Sequence, residues 1–150
     1  SVLHDIGKME IGEQVLNSPE PRTPEDEEIM RQHTLLGARM LEELDAYRDE
    51  DFVRVAYQIC RWHHERYDGS GYPDQLVGEQ IPIAAQVVGL ADAYETLTTG
   101  SGSQPPVPCA AAVQMLCTGE AGAFNPVLLD CLREIENEID DAMRRRPETL

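Results

Sequence analysis

Nowhere in the 150 residues is there a run of about eighteen apolar positions, so no segment is suited to spanning a bilayer. The start also lacks a signal-peptide pattern, because Ser1-Val2-Leu3 leads directly into a histidine motif. The four cysteines, Cys60, Cys109, Cys117 and Cys131, contain no CxxC pair, which argues against a zinc ribbon or a redox dithiol. Each lies in an apolar stretch, which predicts buried thiols and a reducing, cytoplasmic setting. Lysine occurs once, as Lys8, and residues 67–132 hold neither Lys nor Arg. With 28 acids against 12 bases the net charge is −16, which disfavours general binding to nucleic-acid polymers or anionic lipid. A phosphate-bearing ligand at the cation-free stretch would need its positive charge from elsewhere, and bound metal is one source.

Helical signals dominate what is present. Thr23-Pro24-Glu25-Asp26 reads as an N-cap, a first-turn proline and first-turn acids. Apolar residues follow at Ile29, Met30, Leu36, Met40, Leu41 and Leu44, and His33 falls on that inward stripe. A second helix is expected from about Asp51, showing Phe52, Val55, Ala56, Ile59 and Trp62, and the turn-rich residues 68–73 must end it. A third starts near Pro82 and carries Asp92 in an otherwise apolar run. Residues 100–108 read as a flexible connector. A short helix near residues 109–117 follows, then a longer one over about 126–146, opened by Asn125-Pro126. Its stripe of Leu128, Leu132, Ile135, Ile139 and Met143 suits either a core or a homodimer seam. The closing Arg144-Arg145-Arg146 suits a helix C-terminus. No strand or internal repeat is evident, so the expected architecture is an all-α helical bundle. At this length one domain with a real core fits. The absence of Met before a motif at residue 4 leads us to expect a piece of a longer protein.

Only four histidines exist, and their spacing suits metal chemistry. His4 is followed at once by Asp5, His33 lies 29 residues after His4, and His63-His64 begin 30 residues after that. Adjacent helical residues diverge by about 100°, so such pairs serve one centre only near helix ends or with two metals. Gly7 and Gly69 sit close enough to supply such ends. A single inward histidine is most often a satisfied core residue. Asp92 is harder to dismiss, since a buried, unpaired carboxylate costs several kcal/mol. Imidazole and carboxylate without thiolate suit iron, manganese, zinc or magnesium. Paired metals suit phosphoester hydrolysis, in which phosphate is polarised and water activated. Lys8 reads equally as a surface lysine or as a contact for a phosphate oxygen.

The residues His4-Asp5-Ile6-Gly7-Lys8, then His33, then HHERYDGSGYP over residues 63–73, then Ala91-Asp92 resemble the HD-GYP domain. This is a bacterial branch of the HD phosphohydrolases that hydrolyses cyclic di-GMP. The resemblance runs from residue 2 to about 135 and includes Gly122-Ala123-Phe124-Asn125-Pro126. It implies an all-α HD-type bundle holding a di- or trinuclear iron or manganese centre. The implied ligands are His4, Asp5, His33, His63, His64 and Asp92. Asp5 and Lys8 would be the catalytic groups, with Lys8 also contacting substrate phosphate. Gly71, Tyr72 and Pro73 would form a docking loop for partners such as diguanylate cyclases. In their own right those glycines read as turn residues with unusual backbone angles.

The chain departs from the family pattern at Gln86, where Arg is usual, and at Glu95, where Asp is usual. The stretch after Thr99 holds no cation where the family carries a basic patch. The family's first histidine ligand would lie upstream of residue 1. Each lost charge-assisted phosphate contact costs about 1.5–3 kcal/mol. The leading expectation is therefore a metal-dependent phosphodiesterase acting on a cyclic dinucleotide. The alternatives are a degenerate HD-GYP module that binds a nucleotide or partner, and an HD hydrolase for a nucleotide monophosphate.

Overall fold

The computed structural model describes residues 3–18, 22–44, 47, 50–101, 104–136, 138, 139 and 141. A 3-10 helix, Ile6–Glu10, is followed by α1 (Glu13–Leu16), α2 (Pro24–Arg31), α3 (His33–Glu42) and α4 (Asp51–Trp62). A second 3-10 turn, Gly78–Gln80, precedes α5 (Ile83–Thr99), α6 (Cys109–Thr118) and α7 (Pro126–Glu134). Among the described residues, extended pairing is limited to isolated bridges at Asp68–Val77 and Ser101–Gln104. The molecule is all-α.

The caps lie where the side chains provide them. Thr23 Oγ1 accepts from the Asp26 N–H at 3.1 Å, ahead of Pro24. Asn125 Oδ1 accepts from the Val127 N–H at 3.0 Å, ahead of Pro126. The apolar stripe from Ile29 to Leu44 is divided between α2 and α3 at Gln32. There, His33 Nδ1 donates to the Met30 carbonyl (2.6 Å) and Thr34 Oγ1 donates to the Arg31 carbonyl (3.0 Å). These side chains compete with the helical ladder at the joint. After Glu134 the helix is interrupted at Ile135 and is helical again at Glu136, Glu138, Ile139 and Asp141. Arg144–Arg146 and Met143 lie outside the described residues.

Two apolar clusters hold the bundle. The first is Leu41, Ala56 and Cys60, with Leu3, Ile6, Val53 and Tyr57 against it. The second joins α5, α6 and α7 through Leu90, Tyr94, Ala112, Val113, Leu116, Phe124 and Leu132. Leu128 and Ile139 pack against this second cluster beside Leu132, whereas Ile135 of the same stripe is 43% exposed. Phe52 and Val55 correct the expected stripe of α4: they are 71% and 38% exposed, while Ala56 faces the core as expected, together with Val53, Tyr57 and Cys60. Cys131 is also a correction. It is exposed on α7, Cys109 and Cys117 are half-buried, and only Cys60 is buried. All four thiols are free.

The ends of the 100–108 connector are tied down. Ser101 and Gln104 exchange backbone hydrogen bonds, and the Val107 N–H donates to the Leu97 carbonyl at 2.9 Å. Close backbone approaches position the future site. A Cβ at Gly7 would collide with the His33 carbonyl, and one at Gly89 with the His63 carbonyl. The 3-10 helix therefore lies directly on α3, and α5 directly on the end of α4.

Candidate metal centre

Each histidine is delivered by an element end. His4 and Asp5 immediately precede the first 3-10 helix, and Asp5 is its N-cap position. His33 is the first residue of α3, His63 is the C-cap of α4, and His64 is one residue beyond. Adjacent side chains at helix ends can converge, which the mid-helix geometry forbids. One ligand-type atom each from Asp5, His33, His63 and His64 lies within 4.8 Å of the others. His4 and Asp92 stand at the edge of this set. His4 Nε2 is 3.3 Å from Asp5 Oδ2 and 3.5 Å from Asp92 Oδ1.

The protonation pattern is set by backbone carbonyls. His33 Nδ1 donates to Met30, and His63 Nδ1 donates to the Ile59 carbonyl at 2.8 Å. A carbonyl can only accept, so in each neutral ring the proton is on Nδ1 and Nε2 carries a lone pair. Those two Nε2 atoms are 3.4 Å apart. Asp5 Oδ1, buried and making no hydrogen bond, lies 3.3 Å from His33 Nε2 and 4.0 Å from His63 Nε2. Three acceptors thus face one another in a buried space with no proton between them. A cation resolves this arrangement, and neutral imidazoles with a carboxylate form a suitable donor set.

Electrostatics agree with that assignment. Burial pushes the His63 imidazolium down to about 4, helped by His33 and His4. Burial, with His63 and His33 beside it, takes His64 down to about 2. His33 is lowered by burial against the opposing Met30 carbonyl and Asp5. All three rings are therefore neutral near pH 7. Burial raises the Asp5 carboxyl, but hydrogen bonds from His4 and Lys8 outweigh it and hold it well below the carboxylate range. Asp92 is likewise lowered, with the His4 hydrogen bond outweighing burial. Lys8 Nζ donates to Asp5 Oδ2 at 2.6 Å and stays partly exposed.

The HHERYDGSGYP segment wraps the centre. Tyr72 stacks on His64 with ring centroids 4.8 Å apart and planes 20° from parallel. Gly69 has φ +81°, as its turn reading requires. Gly71 corrects that reading for itself: a Cβ there would collide with the Glu65–Arg66 backbone, so close approach demands glycine. Two anchors of this loop escaped sequence reasoning. Glu65, 5% exposed, accepts from the N–H groups of Asp74 (2.7 Å) and Leu76 (3.1 Å). Asp74 in turn accepts from Arg61 Nε at 2.8 Å and Trp62 Nε1 at 2.7 Å. The only available signal was their position inside and just after the motif.

Arg66 and Gln86 serve the scaffold. The Arg66 guanidinium donates to the Glu65 carbonyl at 3.1 Å and lies over the Phe124 ring, centroid distance 4.9 Å. Gln86 donates to the Ile81 carbonyl (2.7 Å) and accepts from Asn125 Nδ2 (2.8 Å), tying α5 to the start of α7.

A family model described as an HD domain matches residues 1–127. A cyclic di-GMP phosphodiesterase of Thermotoga maritima is 34% identical over 143 residues, 95% of this chain and 38% of that protein. A probable cyclic di-GMP phosphodiesterase of Vibrio cholerae is 37% identical over 145 residues, 95% of this chain and 33% of that protein. A 3'3'-cGAMP-specific phosphodiesterase of Vibrio cholerae is 31% identical over 134 residues, 89% of this chain and 25% of its own length. The chain thus spans about a third of the length of the first two curated relatives.

Proposed function

The chain belongs to the HD domain family, in its HD-GYP branch, and on that premise we propose that it acts as a metal-dependent phosphodiesterase on a cyclic dinucleotide, cyclic di-GMP or a close analogue. The observation that carries the reading is the meeting of His33 Nε2, His63 Nε2 and Asp5 Oδ1 with both imidazole protons committed to carbonyls. His33, His63, His64 and Asp5 would hold the metal, and His4 and Asp92 would complete a second position beside it. We take the centre to be di- or trinuclear and to hold iron or manganese, which the sulfur-free donor set suits. Bound metal would supply Lewis acidity toward the phosphodiester and a lowered pKa for water.

The chain's own residues do the rest. The carbonyls of Met30 and Ile59 orient two rings, and Tyr72 covers a third. Lys8 keeps Asp5 ionised and brings a positive charge to the rim, where negative charge grows on phosphate oxygens in the transition state. In this reading the Gly71–Pro73 loop offers a docking surface to a diguanylate cyclase. The setting is cytoplasmic, in keeping with four free thiols.

A second reading is a nucleotide- or partner-binding module that has lost turnover. It is favoured by Gln86, which stands in the position of a family arginine and is committed to Ile81 and Asn125. Turnover of cyclic di-GMP by the full protein, purified anaerobically and loaded with iron or manganese, separates the two. Linear dinucleotide or GMP, abolished by His63→Ala, is expected from the enzyme. Bound metal without product would establish the module.

A further inference from the structure

One residue beyond the HHERYDGSGYP segment holds both flanks of the His63–His64 pair. Asp74 Oδ2 accepts from Arg61 Nε at 2.8 Å and from Trp62 Nε1 at 2.7 Å, and Asp74 Oδ1 accepts from Arg61 Nη2 at 3.0 Å. Arg61 and Trp62 are the last two residues of α4, directly before the pair. The Asp74 N–H donates to Glu65 Oε1 at 2.7 Å, and Glu65 directly follows the pair. Tyr57 meets the Trp62 ring edge to face, at 88° and 5.8 Å between centroids, which steadies the indole that donates. The two parallel Arg61 bonds add a defined geometry that a single bond would not.

The value of this strap lies in what hangs inside it. Arg61 and Asp74 are partly exposed, so their pairing by itself adds little to stability. Tyr72 stands two residues before the closure at Asp74. Its N–H donates to the His64 carbonyl at 3.3 Å, and its ring lies on the His64 ring. His33 and His63 are oriented through Nδ1 by carbonyls. Among the described residues no hydrogen bond fixes the His64 ring. It is held by rings instead: Tyr72 stacked on it, with His63 and His33 at centroid distances of 4.1 and 5.1 Å. Of these three, only Tyr72 comes from outside the donor set.

We propose that Asp74 is a positioning residue for the metal centre: strapped to Arg61, Trp62 and Glu65, it keeps Tyr72 flat on His64, doing for that ring what the Met30 and Ile59 carbonyls do for His33 and His63. It deepens the metal-dependent reading of the site and rests on it. Partners that orient a ligand from outside are worth about 10–100-fold in metal affinity.

The test is calorimetric titration of the metal-free full protein with Mn2+. Asp74→Ala should weaken Mn2+ binding about tenfold or more. Arg61→Ala and Trp62→Phe, which cut the strap from the α4 side, should weaken it in the same direction by less. Asp74→Asn keeps an acceptor for Trp62 and should recover part of the loss. The readout that a merely structural role would not move is non-additivity: on a Tyr72→Ala background, Asp74→Ala should cost no further affinity, because the strap acts through that ring. Wild-type affinity in the Asp74→Ala protein, or a loss that persists in full on the Tyr72→Ala background, would overturn the proposal. Should Asp74→Ala fail to fold, wild-type affinity in both Arg61→Ala and Trp62→Phe overturns it equally. Turnover of cyclic di-GMP by the wild type tests the enzyme reading separately. Turnover with an unchanged Asp74→Ala affinity sinks the strap and leaves the phosphodiesterase standing. Bound Mn2+ without turnover, with the expected pattern of affinities, supports the strap in a binding module and overturns the enzyme. No Mn2+ binding by the wild type overturns both.

Discussion

The two halves of the molecule bury different things. Among the described residues, the buried polar or charged side chains are His33, Thr34, His63 and Glu65, all before residue 66. The cluster formed by α5, α6 and α7 buries Leu90, Val113, Leu116, Phe124 and Leu132, and it sends toward the site the single carboxylate Asp92. Burial in the first half is therefore organised around partners for polar groups, and in the second around apolar area. The first arrangement is costly unless every group is satisfied, which is why its lone pairs point to a bound cation. The second supports itself.

That contrast can be broken from either side. Asp5→Ala should strip the metal and lower turnover by about 10³-fold or more, read by metal content and cyclic dinucleotide hydrolysis. It should cost far less in folding, since it also removes an unpaired buried oxygen. Leu116→Ala should do the reverse. At 0% exposure it should cost about 2–5 kcal/mol of stability by thermal denaturation, with metal affinity unchanged while the protein is folded.

Acid should act on the first half. The folded pKa of His63, about 4, is depressed from 6.5, and His64 is depressed further, so between those values the unfolded chain binds protons that the native chain refuses. The metal-free protein should therefore be at full stability above about pH 6.5 and lose a few kcal/mol as the pH falls toward 4, measured by denaturant titration. Flat stability across that window would mean the rings are not buried as neutral groups. Glu65→Gln keeps every ligand but weakens the hold on the Asp74 and Leu76 N–H groups, so metal affinity should fall about tenfold to a hundredfold. The smallest effect is expected at the exposed Arg133–Asp130 pair, where Arg133→Ala should change stability by less than about 0.5 kcal/mol.

Much of this was legible in the residues. Thr23-Pro24 and Asn125-Pro126 announced two helix starts through local capping chemistry, which acts over a few residues and is written in them. The scarcity and spacing of histidine, with the HHERYDGSGYP string, singled out residues that the fold brings together, Asp5, His33, His63 and His64 among them. Phe52 and Val55 misled because α4 is apolar on more than one face, and periodicity cannot say which face meets α3. The division at Gln32 was equally hidden, since it depends on where the His33 and Thr34 side chains turn.

By itself, the sequence determined the helical class, the two capped helix starts at Thr23 and Asn125, and the imidazole and carboxylate chemistry of the candidate donors. Tertiary structure alone decided which ring nitrogen carries a proton, because that depends on the Met30 and Ile59 carbonyls. It alone brought Asp5 Oδ1 against two Nε2 atoms, and Arg31 over the ring of Tyr72. Capping and helical periodicity are local and readable in order. The convergence of lone pairs from residues 5, 33 and 63 is a property of packing, through the close approaches at Gly7 and Gly89, and no short stretch of chain contains it.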